Sequence, residues 1–166
     1  TQGVSSAASD VYKRQRSLLW NEGLDFGHGT GHGVGAFLGV HEGPQRISAF
    51  AGDVGFRSGM IISNEPGYYR TGWGGIRLEN LYVVQSATQH PRHPDGKKWL
   101  CFDTLTLIPF ERKLVCEELL TEDEWNWLQH YHKRVWEEIS PLLNEDGEKE
   151  YLQQACNWSQ RLQAAA

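Results

Sequence analysis

What the chain has little of narrows its class before any motif is considered. No apolar run approaches the roughly 18 residues that span a bilayer, which argues against a membrane-spanning helix. The first fifteen residues, TQGVSSAASDVYKRQ, carry no apolar stretch of the kind a secretory signal needs, so none is expected. There is no basic excess. The formal net charge is -5, which argues against nucleic acid or an anionic membrane as the main partner. Cysteine is sparse: Cys101, Cys116 and Cys156 are odd in number and widely spaced. They fit neither a zinc pattern nor a disulfide framework and read as reduced thiols in a cytosolic protein. No internal repeat is visible. What remains is 166 residues, enough for one domain. A chain of that size buries roughly 68–70% of its unfolded surface. Its seven tryptophans point to a well-packed globule.

The chain changes character twice. Residues 1 to about 15 are small, polar and aperiodic, and are expected to be a disordered tail or a foreign piece. RSLLWNEG then reads as a short helix closed by Gly23. From 24 to 110, short β-rich runs (VGAFLGVH, GMIISNE, GGIRLENLYVV, KKWLCFDTLTLIPF) are bounded by the turn sequences PGYYRTGWGG and QHPRHPDGK. After 119 the period becomes helical. Thr121 and Glu124 form a capping box, and Trp125, Leu128, Tyr131, Val135 and Ile139 recur on one helix face. A second helix is expected over roughly 147–163. These patterns predict an α+β protein, a β-rich core with a helical C-terminal cap.

The chemistry begins in FGHGTGHGVGAFLGVHEGPQ, residues 26–45, which holds His28, His32 and His41 among seven glycines. His28 and His32 are four apart, the spacing of a helical zinc pair. Gly27, Gly29, Gly31, Gly33 and Gly35 would each cost a helix about 1 kcal/mol, so the segment is extended or looped. In a strand four residues span about 13 Å, against a metal–nitrogen bond of about 2.1 Å. If the segment is extended, the two rings cannot share one ion. One is free to bind metal while another contacts substrate, and the glycines admit another backbone or a ligand at close range. The alternative is a glycine-rich turn with exposed histidines. His90 and His93, in a Pro-rich turn, and His130 and His132, on a charged helix, are read as structural or solvated.

The carboxylates follow. Glu65 ends the apolar run GMIIS and precedes Pro66, which keeps it on extended backbone at a turn. Arg77 and Glu79 are two apart, on one face of an expected strand among Ile76, Leu78, Leu81, Val83 and Val84. Burying them is costly unless they are paired or bind metal. The alternative is an edge strand with a surface ion pair worth little. One imidazole with two carboxylates is a set that suits Mn²⁺, Co²⁺ or Zn²⁺.

Three motifs, HGTGHGVG-FL-VHEGPQRIS, SNEPGYY and GIRLEN, carry a resemblance. From about Leu24 onward the chain resembles the C-terminal half of the catalytic domain of the Xaa-Pro aminopeptidases (aminopeptidase P), in the pita-bread metallopeptidase family. Methionine aminopeptidases and prolidases share the outline. VHEGPQRIS and the closing LTLIPF…LLTEDEWNWLQHYHKRVWEEISPLL are similar to the larger, cytosolic-type aminopeptidase P. The resemblance implies a partial pita-bread (creatinase/aminopeptidase) fold, with residues 16–118 as half of the catalytic domain and 119–166 as a helical extension. It implies that His32, Glu65 and Glu79 are metal ligands. Glu65 would also be the general base, and Glu79 the bridge between two ions. His28 and His41 would be catalytic and substrate-contacting, Tyr69 would lie at the rim, and Arg77 would steady the carboxylates. The implied cofactors are two divalent ions, Mn²⁺ first, with Zn²⁺ or Co²⁺ as alternatives. The implied reaction is release of an N-terminal residue from a peptide with proline at position 2, by a metal-activated water, in the cytoplasm. The implied oligomer is a homodimer, although the apolar face of the tail can equally pack on its own core.

The chain also departs from the family pattern. The resemblance calls for two further aspartates on an upstream hairpin. Only Asp10 and Asp25 precede His28, and neither fits a paired hairpin position. The first fifteen residues do not resemble the family. The expectation is a fragment that is inactive and poorly stable alone. A non-catalytic pita-bread binding module and a prolidase-type dipeptidase are the alternatives. Retention of all five of His28, His32, His41, Glu65 and Glu79 argues against the first.

Overall fold

A computed structural model of the chain describes residues 4–37, 39–49, 54–87 and 99–161. They fall into two compact units, Thr1–Thr106 and Leu107–Ala166. Ahead of residue 119, where the sequence reading starts the helical extension, Leu107, Phe110 and Val115 pack with residues of the C-terminal helices. Among the described residues no helix is long and apolar enough to cross a membrane.

The first unit opens with helix α1 (Val4–Asn21). The tail expected to be disordered up to residue 15 is therefore helical from Val4. Val11 and Tyr12 pack against the core, and that packing outweighs a composition with weak helical preference. The stop at Gly23 is as expected. Gly23 takes φ +69°; its N–H donates to the Trp20 carbonyl and that of Leu24 to the Leu19 carbonyl, a Schellman motif.

Three small antiparallel sheets follow. Strands β1 (Gly31–His32) and β2 (Arg46–Ile47) form one. β3 (Ile61–Asn64), β6 (Asn80–Ser86) and β7 (Leu100–Thr104) form the second, in the order β3-β6-β7. β4 (Gly67–Arg70) and β5 (Gly74–Arg77) form the third. A bridge from Gly33 to Ile62 ties the first sheet to the second. Buried Ile47, Phe56, Ile62 and Val84 make the core of this unit.

Several strand expectations shift. VGAFLGVH forms no strand among its described residues. GGIRLENLYVV is not one strand but two: β5 pairs with β4, β6 pairs with β3, and Leu78 and Glu79 make the passage between sheets. PGYYRTGWGG, read as a turn, is most of a hairpin. Its tyrosines favour extended backbone, and Gly72 and Gly74 supply the positive φ angles that close it. LTLIPF leaves the sheet after Thr104. The turn QHPRHPDGK, with His90 and His93, lies outside the described residues.

In the second unit, α2 (Glu122–Ile139) starts at the expected capping box. Thr121 Oγ1 accepts from the Glu124 N–H at 3.3 Å, and the Glu124 carboxylate accepts from the Thr121 N–H at 2.8 Å. Trp125, Leu128, Tyr131 and Val135 are buried, as their spacing predicts. α3 (Asp146–Ala155) is shorter than the expected 147–163. The chain turns at Cys156 so that Trp158 can bury its ring against Trp125 and His132.

His132 is the structural histidine of this unit. It is fully buried, and its ring lies parallel to that of Trp158 with centroids 4.5 Å apart. Nδ1 meets the Leu128 carbonyl at 2.8 Å, and Nε2 accepts from the Phe110 N–H at 3.1 Å. Those two partners demand the neutral Nδ1–H tautomer. Burial holds the His132 pKa below its ordinary value, and Arg112 adds in the same direction. The unfolded chain therefore binds a proton that the folded chain refuses. Stability is full above the ordinary imidazole value of about 6.5 and falls as the pH drops below it. Denaturant unfolding followed by tryptophan fluorescence should show a lower midpoint at pH 5.5 than at pH 7.5. His132→Gln should flatten that slope; an equal slope in the variant would rule His132 out.

Candidate metal centre

The glycine-rich segment makes close approach possible. A Cβ on Gly31 would lie 2.1 Å from the backbone oxygen of Ser63, and one on Gly33 would lie 2.0 Å from that of Glu42. Both obstacles are backbone, so neither can swing away. The N–H of Glu65 donates to the Thr30 carbonyl at 2.7 Å and that of Gly33 to the Gln45 carbonyl at 3.0 Å. His32, on β1, is thereby carried to within reach of Glu65, which follows directly on β3 of another sheet.

His32 Nε2 lies 3.2 Å from Glu65 Oε1. Its Nδ1 is 2.9 Å from its neighbour's carbonyl, Gly33 O. A carbonyl only accepts, so Nδ1 carries a proton and Nε2 is the nitrogen left to face Glu65. From that position Nε2 can donate to the carboxylate or, with its lone pair, share a cation with it. Glu79, on the passage from β5 to β6, completes the set: one ligand atom from each of His32, Glu65 and Glu79 lies within 4.8 Å of the other two. Glu65 is buried and Glu79 exposed. Among the described residues this is the one such cluster of His, Cys, Asp or Glu. It fits a divalent ion by donor chemistry: one oriented imidazole, two carboxylates and no thiolate.

Arg77 and Tyr69 border the cluster. Arg77 Nη1 lies 3.3 Å from Glu65 Oε2, and Arg77 Nε donates to Tyr69 Oη at 2.8 Å. The Tyr69 bond is the main cause that raises the Arg77 pKa, with Glu65 and Glu79 adding to it, so the guanidinium is a fixed cation. Tyr69 Oη is also 2.8 Å from His28 Nε2, and His28 Nδ1 is 2.6 Å from the Gly29 carbonyl. His28 thus stands apart from the ligand cluster and is tied to it through Tyr69 and Arg77. His41 is exposed, with its ring centroid 4.1 Å from that of His32. The seven residues singled out from sequence (His28, His32, His41, Glu65, Tyr69, Arg77 and Glu79) are therefore neighbours. Asp25 is not among them: it pairs with Arg16 and accepts from the Phe26 N–H.

Two contributors were missed. Arg16 of α1 is buried between the rings of Tyr12 and Phe26, and donates to the carbonyls of Phe26 and His28. Nothing in its sequence context marks it. Ser63 is fully buried beside Glu65. The period of two along GMIISNE would have placed it on the face of Glu65.

Substituting Gly31 should be costly. Gly31→Ala should destabilise the first unit by about 1–3 kcal/mol through overpacking. Gly27→Ala, with nothing within 4 Å of the new Cβ, should stay within about 0.5 kcal/mol of the parent. Urea unfolding of both variants checks this.

Comparison with known proteins gives the family. The model described as metallopeptidase family M24 matches residues 2–86, and that of the C-terminal region of peptidase M24 matches residues 98–158. Over 145 residues the chain is 48% identical to Xaa-Pro aminopeptidase 1 of Dictyostelium discoideum, covering 86% of this chain and 22% of that protein. It is 49% identical to aminopeptidase P2 of Arabidopsis thaliana over 138 residues, covering 82% of this chain and 19% of the relative. The crystal structure of X-prolyl aminopeptidase from Caenorhabditis elegans, described as a cytosolic enzyme with a di-nuclear active site, superimposes with a TM-score of 0.78 at 40% identity. That match covers 87% of this chain and 23% of the solved one. The chain therefore spans about a fifth of its relatives' length. By these matches the chain belongs to metallopeptidase family M24 and adopts part of the pita-bread α+β fold.

Proposed function

We propose that this chain forms part of a metal-dependent aminopeptidase that removes an N-terminal residue preceding proline. The observation that carries the reading is the convergence of His32, Glu65 and Glu79 beside the linked His28–Tyr69–Arg77 set. The names of its relatives support the X-Pro substrate class.

His32, Glu65 and Glu79 would hold the metal, and Glu79 would reach a second ion. Bound there, divalent ions supply Lewis-acid polarisation and a lowered water pKa. Glu65 receives the proton of the attacking water at its carboxylate, which Arg77 holds in place through Oε2. His41, beside His32, hydrogen-bonds the substrate next to the scissile bond and passes a proton toward the leaving nitrogen. His28 contacts the substrate backbone, with its ring held by Tyr69. A bond to proline has no N–H, so recognition falls to a surface that fits the ring, with Tyr69 at its rim. Mn²⁺ is the proposed ion because the donors are hard and include no thiolate. The cytosol is the proposed compartment: the three cysteines are free thiols, and the C. elegans relative is described as cytosolic.

Three protein ligands are too few for two ions, so these 166 residues alone should not cleave peptides. A graft tests the full reading. Residues 24–161 should replace the matching segment of the Dictyostelium relative and keep X-Pro-X hydrolysis. Glu65→Gln in that graft should lower kcat/KM by roughly 10²–10⁴. A folded graft that is inactive on X-Pro-X, or active only on X-Pro dipeptides, would refute the assignment. Residue release by the isolated chain with Mn²⁺ would refute its predicted inactivity.

A further inference from the structure

We propose that Ser63 is a positioning residue of the metal centre: its hydroxyl locks His32 and Glu65 into one geometry across two sheets. The proposal rests on the reading of these residues as metal ligands.

Ser63 is wholly inaccessible to solvent, so its hydroxyl must find partners inside the protein. It has two. Oγ accepts the backbone N–H of His32 at 2.9 Å and donates to Glu65 Oε1 at 3.3 Å. A hydroxyl has one proton to give, so donation to Glu65 and acceptance from His32 are mutually consistent. The oxygen it holds is the one that faces His32 Nε2 at 3.2 Å. The other oxygen, Oε2, faces Arg77. Both carboxylate oxygens thus have a partner, which restrains rotation about the last bond.

The second half of the bridge matters as much. His32 lies on β1 and Ser63 on β3, strands that the Gly33–Ile62 bridge and the Glu65–Thr30 backbone bond bring together on either side of this point. The Ser63 hydroxyl adds a side-chain bond between them, at the close approach that Gly31 permits. One small side chain therefore sets the backbone of one ligand against the carboxylate of the other. The Gly33 carbonyl then orients the His32 ring through Nδ1. Alanine at 63 would leave the His32 N–H without its partner and one carboxylate oxygen free to turn. Supporting bonds of this kind typically change metal affinity by about 10- to 100-fold.

The experiment is Mn²⁺ titration of the 166-residue chain, followed by electron paramagnetic resonance of the free ion, with thermal melting of the metal-free chain run alongside. Ser63→Ala should weaken Mn²⁺ binding about tenfold or more. Ser63→Thr, which keeps the hydroxyl, should restore it, and Ser63→Cys, close in size but a poor donor, should not. Binding in Ser63→Ala equal to the parent overturns the proposal. So does an affinity loss that follows melting temperature across the three variants, since that marks a merely structural role. His32→Ala and Glu65→Gln separate the two readings. If both bind Mn²⁺ as the parent does, the metal assignment itself fails. If both lose binding while Ser63→Ala does not, only the role of Ser63 fails.

Discussion

The site depends on one backbone approach. β1 runs so close to β3 that any side chain at Gly31 would collide with the Ser63 carbonyl. That contact brings an imidazole from one sheet against a carboxylate that follows another. At Gly31 and Gly33 glycine is needed because it is thin: a Cβ at either would run into backbone. The backbone bond from Glu65 to Thr30 and the Ser63 hydroxyl bonds hold the approach closed. Neither sheet is large, and each alone would be marginal. Their junction is what makes the unit.

Much of the site was legible before any coordinates. Glycines at alternate positions excluded a helix, so His28 and His32 had to differ in role. They do differ in placement, one within the ligand cluster and one outside it. Pro66 kept Glu65 extended, and Glu65 follows directly on β3. The capping box at Thr121 and the apolar spacing along α2 are local signals, and they hold. What failed was the assignment of strands to sheets. GGIRLENLYVV reads as one β-run because propensity does not register where a chain leaves one sheet for another. That exchange at Leu78 and Glu79 is tertiary, and it puts Glu79 at the site. The start of α1 was also illegible, because the contacts of Val11, Tyr12 and Arg16 lie far along the chain.

The second unit shows a different economy. Its core is rich in aromatic rings: Trp125, Tyr131, His132 and Trp158, with Phe110 beside them. Arg112 lies over Trp158, pairs with buried Glu117, and donates to the carbonyls of Asn157 and Gln160. The end of the chain is thereby fastened to a segment some forty-five residues earlier. A charged group placed in this way has its cost of burial met by several partners at once.

Arg16 does something comparable for the first unit. A guanidinium stacked on two rings bonds the carbonyls on either side of Gly27, while Tyr69 bonds the imidazole of His28. The most glycine-rich stretch of the polypeptide is therefore stiffened by side chains from outside it. Its conformational entropy is lost when the protein folds. A segment whose composition reads as loose is, in the folded molecule, held in one shape.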